Sequence, residues 1–227
     1  NDVPVLVEIG DQDTDEDIPL TLTLSGSDVD GDSVIFGAVS EYPGYVSPDI
    51  SDNLLTLTPA LNFNGSATIS VTANDGTDDS NTETFILTVT PVNNVPVVDD
   101  ISVATDEDTP VAITMTGSDA DGDELTFTVT SDPSNGTYDG TIYPPNLDFN
   151  GSDSFTYTAN DGIANSDEAT VSITVNAVND TPILTFIGDQ STNEDSDTTI
   201  VLSASDVDID ENGQTLTFSA VSSDTTL

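Results

Sequence analysis

The chain has 227 residues, 43 of them Asp or Glu, and no Lys, Arg, His or Cys. A formal charge of −43 repels itself strongly and excludes the Lys- and Arg-mediated contacts that hold nucleic acid and anionic membrane surfaces. It favours divalent cations. Missing His, Cys and Lys also exclude a Ser-His pair, a thiolate, a Schiff base and a soft metal site. A carboxylate-only mechanism needs one pair of acids set apart from the rest, and none is, so no enzyme activity is expected.

Read in order, the chain repeats itself. A linker-like Asn1-Asp2-Val3-Pro4 comes first, then Asp15-Glu16-Asp17, then Ile18, Leu20, Leu22 and Leu24 alternating with polar residues. Ser27-Asp28-Val29-Asp30-Gly31-Asp32 follows. Further alternating rows are Ile69, Val71 and Ala73, then, after Asn74-Asp75-Gly76, Phe85, Leu87 and Val89. Asn93-Asn94-Val95-Pro96 restarts the series. Asp106-Glu107-Asp108 precedes Val111, Ile113 and Met115, and Ser118-Asp119-Ala120-Asp121-Gly122-Asp123 precedes Leu125, Phe127 and Val129. Phe155, Tyr157 and Ala159 lead into Asn160-Asp161-Gly162, and Val171, Ile173 and Val175 lead into Asn179-Asp180-Thr181-Pro182. The third pass holds Asn193-Glu194-Asp195 and Ser205-Asp206-Val207-Asp208-Ile209-Asp210. Asn1 to Asn93 is 92 residues and Asn93 to Asn179 is 86. Four motifs in one order at a near-constant interval mark a tandem array of one module.

Alternation of period two, rich in Thr and Val, predicts strands with one buried face. No stretch carries a helical stripe. About 90 residues with about seven strands per repeat predict an all-β chain of antiparallel sandwiches of immunoglobulin-like size, in linear array. The expected modules are 1–92, 93–179 and a partial third over 180–227. The last has the first strands and the acidic loop without the strands that would close it. The chain reads as a piece of a longer protein.

Asp-x-Asp-Gly-Asp is at once an acidic hairpin turn with Gly at positive φ and a hard-cation site, because alternate turn residues aim two carboxylates the same way. Its recurrence beside each linker favours the metal. Asn-Asp-Gly is a strong turn former whose Asp can also reach an ion. Glu16, Glu107 and Glu194 stand at strand ends, beside the expected junctions. Asp206, Asp208 and Asp210 before Asn212-Gly213 are similar to an EF-hand loop, with the Gly out of register and no flanking helices. Tyr42, Tyr45, Tyr138 and Tyr143 fall in loops or short strands. With no Trp in the chain, partial core packing is expected of them rather than a sugar platform.

At these motifs the chain resembles the cadherin-like tandem repeats of large bacterial surface proteins. Thr158 to Gly162, Ala169 to Val175 and Val178 to Pro182 look like the last two strands and linker of such a repeat. Asp119-Ala120-Asp121 looks like its Asp-x-Asp calcium motif, and Glu107 like the Glu at the base of the first strands. The resemblance implies calcium between modules. At the first junction the expected ligands are Glu16, Asn93, Asp119, Asp121 and Asp161, with the carbonyl of Asn94. At the second they are Glu107, Asp148, Asn179, Asp180, Asp206 and Asp208. Asn1, Asp28, Asp30 and Asp75 form an incomplete amino-terminal set. Cadherins carry Asp-Arg-Glu before the sixth strand, whereas this chain has Asn62-Phe63-Asn64-Gly65 and Asp148-Phe149-Asn150-Gly151, so the full three-ion cluster is not implied. Asn93-Asn94 replaces the family's Asn-Asp, so weaker calcium binding is expected at the first junction.

The function implied is a calcium-rigidified stalk or adhesion segment, extracellular and on the bacterial cell surface. Its partners would be calcium ions, neighbouring repeats, and cell-surface glycans or like repeats. Nucleic acid and direct membrane insertion are not expected. The alternatives are a calcium-dependent carbohydrate-binding module and a passive spacer in a secreted polysaccharide-active enzyme.

Overall fold

The computed structural model describes residues 1–210 and 215–223; Asn212-Gly213 of the EF-hand-like loop lies outside the described residues. Two compact units form. One comprises residues 1–96 with 118–125 and 161–165; the other comprises 97–117, 126–160 and 166–227. The loops that carry Asp119, Asp121 and Asp161 therefore belong to the first unit, although they lie in the second sequence repeat. Among the described residues there is no α-helix, only one 3₁₀ turn at Val207–Asp210, and no helix is long and apolar enough to cross a membrane.

The first unit holds β1 (Val5–Leu6), β2 (Gln12–Asp15), β3 (Leu20–Thr23), β4 (Gly26–Ser27), β5 (Ile35–Ser40), β6 (Val46–Ser51), β7 (Leu54–Pro59), β8 (Gly65–Asn74) and β9 (Glu83–Thr90). A four-stranded sheet, β2-β9-β8-β5, faces a three-stranded sheet, β3-β7-β6. Their inner residues share one core of Val46, Leu55, Leu57, Ile69, Val71, Phe85, Leu87 and Val89. Alternation produces this core: Ala67, Ile69, Val71 and Ala73 are buried along β8 while the residues between them are not. Each fully buried Leu, Ile, Val or Phe contributes roughly 1.5–3 kcal/mol.

The second unit holds β10 (Val97–Val98), β11 (Ile101–Asp106), β12 (Val111–Ala112), β13 (Gly117–Ser118), β14 (Thr126–Ser131), β15 (Ile142–Tyr143), β16 (Gly151–Asn160) and β17 (Ala169–Asn176), followed by β18 (Ile183–Leu184) and β19 (Ala204–Ser205). The sheet β11-β17-β16-β14 repeats the first unit's four strands. The opposite sheet is reduced to β12-β15, two residues each. The row Val111, Ile113, Met115 therefore ends as a strand at Ala112. Pro133, Pro144 and Pro145 bracket the segment that would have paired with it, and proline supplies no N–H to a ladder. The face of β14 is left partly open, with Phe127 37% exposed.

Among the pairings whose register is described, all are antiparallel with one exception in each unit. β2 runs parallel to β9, with Gln12 opposite Leu87, and β11 runs parallel to β17, with Ile101 opposite Val171. Both parallel strands start the same way. Asp11 accepts the Ile86 N–H at 2.8 Å, and Asp100 accepts the Thr170 N–H at 2.7 Å, so a carboxylate fills the ladder position just before the strand begins.

The four tyrosines divide. Tyr143 is fully buried, and Tyr138 stacks on Phe155 with ring centroids 4.7 Å apart. The core role does not hold for Tyr42 and Tyr45, which are 49% and 54% exposed. They belong to the turn before β6, and Tyr45 stacks on the half-buried Phe63 at 4.9 Å. In the third pass, Phe186, Val201 and Val221 are exposed, and β18 with β19 is its one described sheet.

Gly136 gives a local test of the second core. A Cβ there would lie 2.5 Å from Cε2 of Tyr143 and 2.7 Å from the Pro144 carbonyl oxygen. Tyr143 is pinned by its hydroxyl to Asp153 and cannot retreat. Gly136→Ala is expected to destabilise the second unit by about 1–3 kcal/mol. An unchanged urea midpoint for that unit would contradict this packing.

Candidate metal centres

Each site begins with the end of a parallel strand. After β2 the chain turns tightly, with Asp17 at φ 61° and the Ile18 N–H on the Asp15 carbonyl. The Glu16 N–H extends the β9 ladder to the Thr90 carbonyl at 2.9 Å. This places the Glu16 side chain, 3% exposed, under the linker, where it accepts the Val92 N–H at 3.0 Å. The second unit repeats the device: Asp108 has φ 57°, Glu107 is 5% exposed, and Glu107 accepts the Val178 N–H.

The linker then closes on the acidic loops. The Asn94 N–H donates to Asp121 at 2.7 Å, and the Asn94 carboxamide reaches Glu16 at 3.3 Å. The Asn93 carboxamide donates to Asp161 at 2.9 Å and to the Asn94 carbonyl at 3.1 Å. Asp119 accepts the Asp121 N–H at 2.8 Å. Carboxylate oxygens of Asp119, Asp121 and Asp123 lie within 4.8 Å of one another. Glu16, Asn93, Asn94, Asp119, Asp121 and Asp161 are thus gathered in one place. Asn93 presents its NH₂ to the cluster, so ligation through its Oδ1 requires a half-turn of the amide.

The amino end has the same lattice. Asn1 donates to Asp75 at 2.8 Å, the Asp2 N–H to Asp30 at 2.7 Å, and the Asp30 N–H to Asp28 at 2.8 Å. In the second unit the Asp180 N–H donates to Asp208, and the Asp208 N–H to Asp206 at 3.0 Å. Asn179 turns its amide to the Asp180 carbonyl. Asp148 joins Asp108 and Asp180, the three carboxylates again within 4.8 Å. Asp108 and Asp123 were not expected from the motifs. The signal that would have found them is the Asp that closes both Asp-Glu-Asp and Asp-Gly-Asp.

The electrostatics differ within the lattice. Backbone N–H donation from Ala164, then the Asn93 amide, outweighs burial and holds Asp161 below the usual carboxylate range. Asp75 is lowered in the same way, first by the Asp78 N–H and then by Asn1. Asp180 is raised, first by burial and then by Asp148, Asp208, Asp108 and Glu107. One oxygen each of Asp28, Asp119 and Asp180 is sealed from solvent with no hydrogen-bond donor. Asp208 is 2% exposed. A buried carboxylate oxygen without a donor or counter-charge is costly, and no side chain of this protein is cationic. Hard oxygen donors, several per site and converging from separate stretches of chain, fit a cation such as Ca²⁺.

Residues 1–88 and 93–174 each match the model of the bacterial Ig domain. No curated protein matches the chain. Among solved structures, human Protocadherin-24 EC1-2 is similar at 15% identity over 78% of this chain and 100% of that one, with a TM-score of 0.49. Human mucin-like protocadherin EC1-2 is 18% identical over 77% and 98%, with a TM-score of 0.43. An endo-fucoidan hydrolase of glycoside hydrolase family 107 is 20% identical over 78% of this chain and 29% of that one, with a TM-score of 0.34.

Proposed function

This chain belongs to the bacterial Ig domain family, and from that premise we propose that it is an extracellular stalk or adhesion segment whose stiffness is set by calcium. The carrying observation is the first cluster. Glu16, the linker Asn93-Asn94 and the loops of Asp119, Asp121 and Asp161 meet there, around a sealed, unpartnered Asp119 oxygen, in a chain without one cationic side chain. Glu16, Asp119, Asp121 and Asp161 would hold calcium there, with Asn93 once its amide is turned. Glu107, Asp148, Asp180, Asp206 and Asp208, with Asn179, would hold it in the second unit. Asn1, Asp28, Asp30 and Asp75 would contribute at the amino end.

The role is mechanical. Bound calcium neutralises the gathered carboxylates and ties three stretches that are distant in sequence. Loops 118–125 and 161–165 each continue directly into strands of the second unit, so fixing them to the Glu16 side limits the freedom of the Asn-x-x-Pro linker. Extracellular calcium modules have a Kd of about 10⁻⁴–10⁻³ M, which places the transition at the calcium concentration outside cells.

Asp121→Ala tests the assignment. It removes the acceptor of the Asn94 N–H and one carboxylate of the cluster. Calorimetric titration of the variant is expected to show calcium affinity lowered about tenfold or more at the first site and unchanged at the second. Equal loss at both sites, or loss at neither, would sink the assignment.

A further inference from the structure

We infer that the open edge of β5 is a docking strand: it takes an extended peptide segment of alternating apolar and cationic residues, which adds to the β2-β9-β8-β5 sheet. This is independent of the calcium reading and uses none of the gathered acids.

β5 is an edge without the usual defences. Sheets protect their edges with charge, proline or a bulge. At the other edge of the same sheet β2 carries Asp13 and Asp15, and β6, at an edge of the facing sheet, carries Pro48 and Asp49. In the second unit the strand that corresponds to β5 is β14, whose register shifts between Val129 and Ser131. Ser33 to Ser40, by contrast, is eight residues without a charge or a proline, in a chain where 43 of 227 residues are acidic. β5 keeps unbroken register with β8, from Ile35 opposite Asn74 to Ser40 opposite Ile69. Ile35 and Val39, on its outer face, are 68% and 65% exposed.

The backbone phase shows what the edge offers. The Glu41 N–H donates to the Thr68 carbonyl at 2.9 Å. Hydrogen-bonded pairs alternate along an antiparallel ladder, so residues 35, 37 and 39 bond to β8. Phe36, Ala38 and Ser40 turn their N–H and C=O groups outward. Among the described residues no strand lies beyond them. A segment added there would set its inward side chains beside Phe36 and Ala38 and its outward ones beside Ile35 and Val39.

The chemistry of the occupant follows from the space beside Phe36. A cavity of about 530 Å³ opens there, lined by Val34, Ile35, Phe36, Ile50, Asp52 and Asn53. Its walls are apolar and Asp52 brings an anion. A Lys or Arg fits both, with its aliphatic stem on the walls and its charged head at Asp52. On the outer face, apolar side chains cover Ile35 and Val39. A second copy of this chain is not the occupant: it has no Lys or Arg to offer, and two chains of charge −43 repel.

The test uses the full chain and a synthetic octapeptide of alternating Val and Lys as the probe. Binding is followed by fluorescence anisotropy, and amide exchange locates it. New protection is expected at Phe36, Ala38 and Ser40. General attraction of a cationic peptide to an acidic chain is separated by the same peptide N-methylated at alternate amides, which keeps the charge and loses the ladder. It is expected to bind about tenfold more weakly. Ala38→Pro removes an outward N–H and leaves the β5–β8 ladder intact, and is expected to weaken the unmodified peptide about tenfold. Asp52→Asn is nearly isosteric and Asn tolerates the left-handed backbone at this position, φ 57°. It is expected to weaken the Lys peptide about threefold and to leave a norleucine analogue unchanged. Equal binding of the N-methylated peptide, or protection that appears away from β5, would overturn the inference. Self-association of the chain through β5 would overturn it in favour of a second copy.

Discussion

Removing calcium is expected to lower the melting temperature of both units and to loosen the chain. Each occupied site that exists only in the folded state contributes about 2.7 kcal/mol at a hundredfold excess of calcium over Kd. For a unit of this size, 1 kcal/mol moves the melting temperature by about 4–8 °C, so a single site predicts a shift of about 10–20 °C. The effect is large because 43 acidic residues face no cationic side chain and the junction carboxylates have no other counter-charge. Monovalent salt screens exposed charge over a Debye length of about 8 Å at physiological strength. It cannot coordinate the sealed oxygens of Asp119 and Asp180 in the same way. Calorimetric melting and small-angle scattering in chelator, in calcium raised to a hundredfold excess over Kd and in sodium chloride of matched ionic strength separate the two effects. Calcium is expected to raise the melting temperature and reduce flexibility well beyond the matched salt. Equal profiles in all three conditions would leave the acidic motifs as solvated turns.

Asp153→Ala is expected to cost the second unit about 3 kcal/mol, because it leaves the buried Tyr143 hydroxyl and the part-buried N–H groups of Ser134 and Asn135 without their acceptor, at about 1–3 kcal/mol for each group cut off from water. Asp153 is 8% exposed and points into the sandwich from β16, opposite Ile173. The corresponding residue of β8 is the buried Ala67, opposite Leu87. Asp153 accepts the N–H groups of Ser134 at 2.9 Å and Asn135 at 2.8 Å, and the hydroxyl of the fully buried Tyr143 at 2.8 Å. It ties down the irregular segment that stands where the first unit has the β6–β7 hairpin. Burial pushes its carboxyl up, but the Ser134 N–H, the Tyr143 hydroxyl and the N–H groups of Asn135 and Ser154 together hold it below its ordinary value. A folded-state pKa below the unfolded one stabilises above the unfolded value and is lost as pH falls through the folded value. This contribution is therefore present at neutral pH and disappears below the ordinary Asp value of 3.8. Urea unfolding followed by tyrosine fluorescence is expected to show the second unit's midpoint falling and the first unit's unchanged. Asp153→Asn, which keeps one acceptor, should lose less and flatten the acid limb. An Asp153→Ala chain as stable as the parent would mean that the loop is held by something else.

The sequence by itself determined the fold class and the repeat, and it singled out most of the residues that the acidic clusters bring together. Alternation is a property of one strand, so Ile69, Val71 and Ala73, or Phe155, Tyr157 and Ala159, declare a buried face without reference to any partner. Turn chemistry is just as local: Gly31 and Gly122 take the positive φ that Asp-x-Asp-Gly-Asp predicts. Only the tertiary structure decided which strand pairs with which. That β2 runs parallel to β9 and β11 to β17, with Asp11 and Asp100 meeting an N–H 75 and 70 residues away, is something no local pattern encodes. The same holds for Asp153, an acid on a core face that becomes sensible only once Tyr143 and the backbone of Ser134 and Asn135 arrive around it. It holds too for Asp108, drawn into a cluster with Asp148 and Asp180 by a turn and a linker that are remote in the chain. Alternation and turns are written in neighbouring residues. Partner choice and the company a carboxylate keeps are set by long-range closure, where many residues must agree at once.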